Sequence, residues 1–141
     1  MSKAKAGRQY VMDSFALLSY LDNERGADVV RKILAQGGNK AASIFMSVIN
    51  FGECAYIIER ERGIKAARMA IAGIGQLPIT LVNAGQAETL AAAHIKANYK
   101  VSYADAFAIA LAQSQQAAVV TGDPEFKAVE DLIDVLWLDR E

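Results

Sequence analysis

With 141 residues, 53% of them hydrophobic, the chain is long enough for one compact domain with its own core. Its charge is balanced, 15 basic residues against 16 acidic, which argues against the broad positive surface of a tight duplex binder and leaves room for a small basic rim. The single cysteine, Cys54, and the single histidine, His94, exclude an intrachain disulfide, a cysteine zinc cluster and a paired-histidine nuclease, so catalysis would fall to Asp, Glu, Ser, Thr or Lys.

No apolar run approaches the roughly 20 residues of a membrane helix, and the N-terminus has no apolar signal-peptide core before Asp13. The expectation is a soluble protein of the cytoplasm with no membrane partner. In chain order, Tyr10 to Met12 reads as a short buried strand that runs into Asp13, and Ser14 to Leu21 as a helix with a near-continuous apolar face. Glu24 to Leu34 carries Ala27, Val30, Ile33 and Leu34 at helical spacing, and Gln36-Gly37-Gly38-Asn39 ends it. Ala42 to Met46 is a second strand. Ser47 is placed to cap the next helix, in which Asn50 and Glu53 share a face distinct from Phe51, Ala55 and Ile58.

Arg60 to Gly63 reads as a joint and Ile64 to Ile74 as a further helix; a third strand follows within Leu77 to Val82, starting at Pro78. Ala84 to Ala97 is an alanine-rich helix. After the turn Asn98-Tyr99-Lys100, Ser102 starts the almost wholly apolar helix Tyr103 to Ser114, expected to be covered on most sides. Ala117 to Val120 is the fourth strand, Glu125 to Val129 a short helix, and Ile133 to Leu138 an amphipathic last strand near a sheet edge with Trp137 as a packing anchor. Strands alternating with helices predict a single domain spanning 1–141, an α/β/α three-layer sandwich around a mainly parallel sheet.

Acids recur at one kind of position in this pattern. Asp13 follows the first strand, Glu53 lies in the second turn of the helix after the second, Asp105 opens the helix from Ser102, and Asp123 follows the fourth strand. In a parallel sheet with right-handed crossovers, strand C-termini and the helix starts after them collect on one edge. Each acid also has a purely structural reading. Asp13 can cap the helix from Ser14, Ser102 and Asp105 fit a capping box, Asp123 before Pro124 fits an N-cap, and Glu53 can be a solvated helix residue. Taken together, neighbouring carboxylates repel, and a divalent cation would remove the conflict. The donors are all oxygen, which suits Mg²⁺ or Mn²⁺. Such a site would hydrolyse a phosphodiester, with Ser14, Asn50 and Thr121 as supporting or water-positioning groups.

The segments YVMDSFALLSYL (10–21), SVINFGECAYI (47–57), SYADAFAIALA (102–112) and VVTGDPEF (119–126) together resemble PIN-domain proteins, and closely the VapC-type ribonuclease toxins of type II toxin–antitoxin pairs. The resemblance implies that Asp13, Glu53, Asp105 and Asp123 bind Mg²⁺ or Mn²⁺ and support RNA cleavage. It further implies a homodimer formed through parts of Ile49 to Ile74, and a cognate antitoxin. The slightly acidic balance leaves Arg25, Lys96 and Lys100 as candidate RNA contacts, each equally readable as a solvated charge. Other readings are a PIN-fold binding protein with a weak or inactive site, and a structure-specific DNA nuclease. His94 reads as a surface or packing residue and Cys54 as a small buried hydrophobe.

Overall fold

Tyr10 and Met12 join one apolar cluster while Val11, between them, joins another, and all three are buried. A strand apolar on both faces is a strand covered on both faces. It is the middle of a five-stranded sheet in a computed structural model that describes residues 7–138. The strands are β1 (Arg8–Met12), β2 (Ala42–Ser47), β3 (Thr80–Val82), β4 (Ala118–Thr121) and β5 (Val135–Trp137). Their order across the sheet is β3-β2-β1-β4-β5, and every neighbouring pair is parallel.

Helices α1 (Ser14–Leu21), α2 (Ala27–Gly38), α3 (Val48–Arg62) and α4 (Ile64–Ile74) contribute Leu17, Val30, Cys54 and Ile74 to the cluster on the Tyr10 face. Helices α5 (Gln86–Asn98) and α6 (Tyr103–Gln115) cover the Val11 face with Ala92, Ile95 and the long buried run Ala106–Ala112. The alanines of α6 keep that helix close to its neighbours, and its expected cover on most sides is observed. The result is the three-layer α/β/α sandwich, with a wholly parallel sheet among the described residues.

Element boundaries differ from the sequence expectation where backbone hydrogen bonding decides them. The second helix starts at Ala27 rather than Glu24, because Glu24 and Ala27 amides are taken by turn bonds to Ser19 and Glu24 carbonyls. It continues through the glycine pair to Gly38, and Gly37 packs so closely under Ile44 and Pro78 that a Cβ there would lie 2.7 Å from Ile44. The third strand pairs only from Thr80, after Pro78, which has no amide to donate. The fourth is shifted one residue on, to Ala118–Thr121, and the last shortens to the edge strand Val135–Trp137. The final short helix is a 3₁₀ helix over Pro124–Val129. Trp137 packs against the Val11-face cluster while its indole N–H donates to Glu130 at 2.8 Å. Among the described residues no helix is long and apolar enough to cross a membrane.

Candidate functional site

The strand order reverses between β1 and β4: β2 and β3 extend the sheet on one side, β5 on the other. At such a reversal, connections leave the carboxyl ends of the two strands in opposite directions and open a crevice between them. Asp13 follows β1 directly, and Thr121-Gly122-Asp123 leads out of β4. Both strands that flank the crevice therefore end in an acid.

Asp13 is 1% exposed. Its Oδ1 accepts from the Ala16 amide at 2.8 Å and so caps α1, while its Oδ2 accepts from the Thr121 hydroxyl. The same Thr121 oxygen accepts the Asp123 amide at 3.0 Å, which ties both strand ends to one hydroxyl. Burial pushes the Asp13 carboxyl up to about 7; bonds from Thr121 and Ala16 pull it down, and the charges of Asp123 and Glu53 push it further up. Asp123 caps the 3₁₀ helix by accepting from the Glu125 amide at 2.9 Å. Glu53 comes from α3, and its Oε1 accepts from the Ser14 hydroxyl at 2.6 Å. The cap readings of Asp13 and Asp123 thus hold, alongside their convergence on one crevice.

Asp105 is 6% exposed at the start of α6. Burial pushes its carboxyl up to about 8, reinforced by a hydrogen bond with Glu125 and by the charges of Asp13 and Asp123. Only half of the expected capping box forms: Ser102 Oγ accepts from the Asp105 amide at 3.1 Å, but the Ser102 amide donates to Glu125 Oε1 at 3.0 Å. One carboxylate oxygen from each of Asp105, Asp123 and Glu125 lies within 4.8 Å of the others, close enough to hold a divalent cation together. Glu125 was not among the residues singled out from the sequence. Its only local signal is an acid two residues past Asp123, at the opening of a short helix.

Asn50 is fully buried in the first turn of α3. Its Nδ2 donates to the Ala104 carbonyl at 3.1 Å, next to Asp105, and its Oδ1 has no hydrogen-bond partner among the described residues. A buried acceptor without a donor is uncommon and marks a place for a water or an ion. The donor set is otherwise carboxylate oxygen. Cys54, the one soft donor nearby, is held as a thiol: burial pushes it up to about 12, and its Sγ–H points at the Ser14 carbonyl at 3.8 Å. Of the basic candidates, Lys96 on α5 is near enough for its charge to be felt by Glu125. Arg25 lies in the turn before α2 and Lys100 in the turn before α6, both exposed. His94 is exposed, as expected of a surface residue.

Residues 10–132 match the family model described as PIN domain. The chain belongs to the PIN-domain family. Solved structures share this PIN fold at low sequence identity. A DNA-bound VapBC from Salmonella typhimurium superposes with a TM-score of 0.72 at 14% identity, covering 93% of this chain and 98% of that one. A toxin–antitoxin complex from Klebsiella pneumoniae gives 0.68 at 17%, covering 94% and 99%. The Mycobacterium tuberculosis VapC20, described as a Sarcin-Ricin loop cleaving toxin, gives 0.68 at 17%, covering 85% and 94%. No curated protein matches this PIN-domain chain in sequence.

Proposed function

We propose that this PIN-domain chain is a metal-dependent endoribonuclease, acting in the cytoplasm as a single domain and as the toxin of a toxin–antitoxin pair. The observation that carries the reading is the crowding of acids around the β1–β4 crevice. Asp13 and Asp105 are both buried, and each has its proton affinity raised by the other acids near it. Carboxylates in that arrangement resist being ionised together, and a cation that joins them removes the conflict. Asp13, Glu53, Asp105 and Asp123 would hold Mg²⁺ or Mn²⁺, and the all-oxygen donor set with the spare Asn50 Oδ1 fits those ions. Once bound, the ion supplies positive charge at the scissile phosphate and acidifies a nearby water.

The chain's own residues do the rest. Thr121 fixes the rotamer of Asp13 and the position of the Asp123 amide, and Ser14 fixes Glu53. Asn50 Oδ1 is free to accept from a water and orient it. Lys96, with Arg25 and Lys100, would form the small basic rim that meets the RNA backbone. The description of the Mycobacterium protein as a Sarcin-Ricin loop cleaving toxin supports a cleavage reaction on RNA here, and the toxin–antitoxin complexes among the similar structures support a cognate antitoxin. Tyr56 on α3 with Ile64, Met69 and Ile71 on α4 leaves apolar surface exposed, Met69 at 69%, in the part of the chain proposed to pair two copies. Light scattering should give twice the monomer mass; a monomer at micromolar concentration would reject the pairing.

The decisive experiment follows RNA cleavage with Mg²⁺ or Mn²⁺. Asp13→Asn and Asp105→Asn should each lower the rate by at least about 100-fold, the scale expected when a charged group acting on the transition state is removed, while the circular dichroism spectrum stays native. EDTA should stop cleavage and added Mn²⁺ restore it. Cleavage that survives either substitution, or chelation, rejects the site.

A further inference from the structure

We infer that Glu125 is a positioning residue, which caps α6 in place of Asp105 and thereby leaves the Asp105 carboxylate available to the acidic centre. This rests on the reading of Asp105 as a metal-holding acid. A helix that opens Ser-x-x-Asp has both halves of a capping box within its own first turn. Here the first half is made, from the Asp105 amide to Ser102 Oγ at 3.1 Å. The second would place the Asp105 carboxylate on the Ser102 amide. That amide is instead taken at 3.0 Å by Glu125 Oε1, a group 23 residues further along the chain.

The substitution matters because an acid at the third helical position, unlike the N-cap acids Asp13 and Asp123, must turn back along its own helix to reach the cap amide. An Asp105 carboxylate turned back onto Ser102 would withdraw from Asp123 and Glu125, whose oxygens now lie within 4.8 Å of it. Glu125 is well placed to prevent this, since it takes the Ser102 amide and also hydrogen-bonds the Asp105 carboxyl itself. Its own amide is pinned to Asp123 Oδ1 at 2.9 Å, and Pro124 precedes it at the first position of the 3₁₀ helix. The side chain therefore starts from the Asp123 loop and ends on the α6 cap, joining the two segments that carry the two acids. Remove it and the Ser102 amide is an orphan donor at a helix start, with the Asp105 carboxylate the local group shaped to satisfy it.

The test compares Glu125→Ala with Glu125→Gln in the full chain. Mn²⁺ binding is measured by calorimetry, and crystal structures are determined without metal. Alanine should weaken Mn²⁺ binding about 10- to 100-fold, as loss of a group that orients a ligand does, whereas glutamine, whose amide oxygen still accepts from Ser102, should stay within roughly threefold of wild type. In the metal-free alanine variant the Asp105 carboxylate should accept from the Ser102 amide. Equal loss in both variants would make Glu125 a ligand or a charge rather than a positioning group and overturn the inference. So would unchanged binding in the alanine variant, with or without a lowered melting temperature, or an Asp105 that stays in place in its crystal structure. If wild type itself binds no Mn²⁺, the nuclease reading fails, and the cap exchange is decided by the metal-free structures alone.

Discussion

Thr121 shows how a neutral residue can govern charged ones. It is fully buried, its hydroxyl proton goes to Asp13, and its oxygen receives the Asp123 amide. Valine has nearly the same shape and neither capacity. Thr121→Val should therefore cost about 1–3 kcal/mol in urea unfolding, the range for leaving a buried hydrogen-bonding group unsatisfied, and should slow RNA cleavage more than Ser14→Ala does. An unchanged unfolding midpoint would show that Asp13 finds another donor. At this scale the acids themselves were legible in the sequence, because Asp13 and Asp105 interrupt apolar surroundings where an unpartnered carboxylate is expensive. The bridging role of Thr121 was only partly legible, and the capping role of Glu125 was not. Both depend on segments that meet only after folding. Gly122 is a further case. A Cβ there would come within 2.4 Å of the Phe15 ring, so a side chain beside Asp123 would have to push that half-exposed ring aside.

Among the elements, α3 and α4 are two helices because of one residue. Gly63 between them has φ +92° and ψ 167°, a region that only glycine occupies without strain. It ends α3 by donating its amide to the Glu59 carbonyl at 2.8 Å and lets α4 leave in a new direction. Gly63→Ala should cost about 1–3 kcal/mol, read as a lower urea midpoint, with metal-dependent cleavage retained, since the joint lies at the far end of α3 from Asn50. Loss of cleavage in a still-folded variant would tie α4 to the site. The span Ile64 to Ile74 was legible, but the expected joint Arg60 to Gly63 shrinks to Gly63 alone, because Arg60 to Arg62 stay in the last turn of α3. The strand ends were less so. Pairing partners set them, and apolar residues such as Ile133 and Leu138 fill the core from turns as readily as from strands.

For the molecule as a whole, the buried acids link stability to pH. Folded Asp13 holds its proton up to about 7 and Asp105 to about 8, both from an ordinary value of 3.8. Between those limits the folded chain binds more protons than the unfolded one, so stability is greatest in the acid part of the range and falls as pH rises. In EDTA the melting temperature should be higher near pH 5 than near pH 8, and Mn²⁺ should remove most of the difference; a flat or rising profile in EDTA would contradict the burial of these groups. Asp13→Asn should flatten the slope. The layer architecture was read from the alternation of strands and helices alone, whereas the order of strands was not, since that order is fixed by which edge each crossover joins. The order has a consequence in time. β4 lies beside β1 at the middle of the sheet, yet it is the fourth strand to be synthesised, and it brings Thr121 and Asp123. A growing chain that has reached the end of α6 carries Asp13, Glu53 and Asp105 with no hydroxyl to hold the first and no opposite wall to the crevice. The crevice is therefore completed only when β4 inserts beside β1, after every other strand that precedes it in the chain has been made.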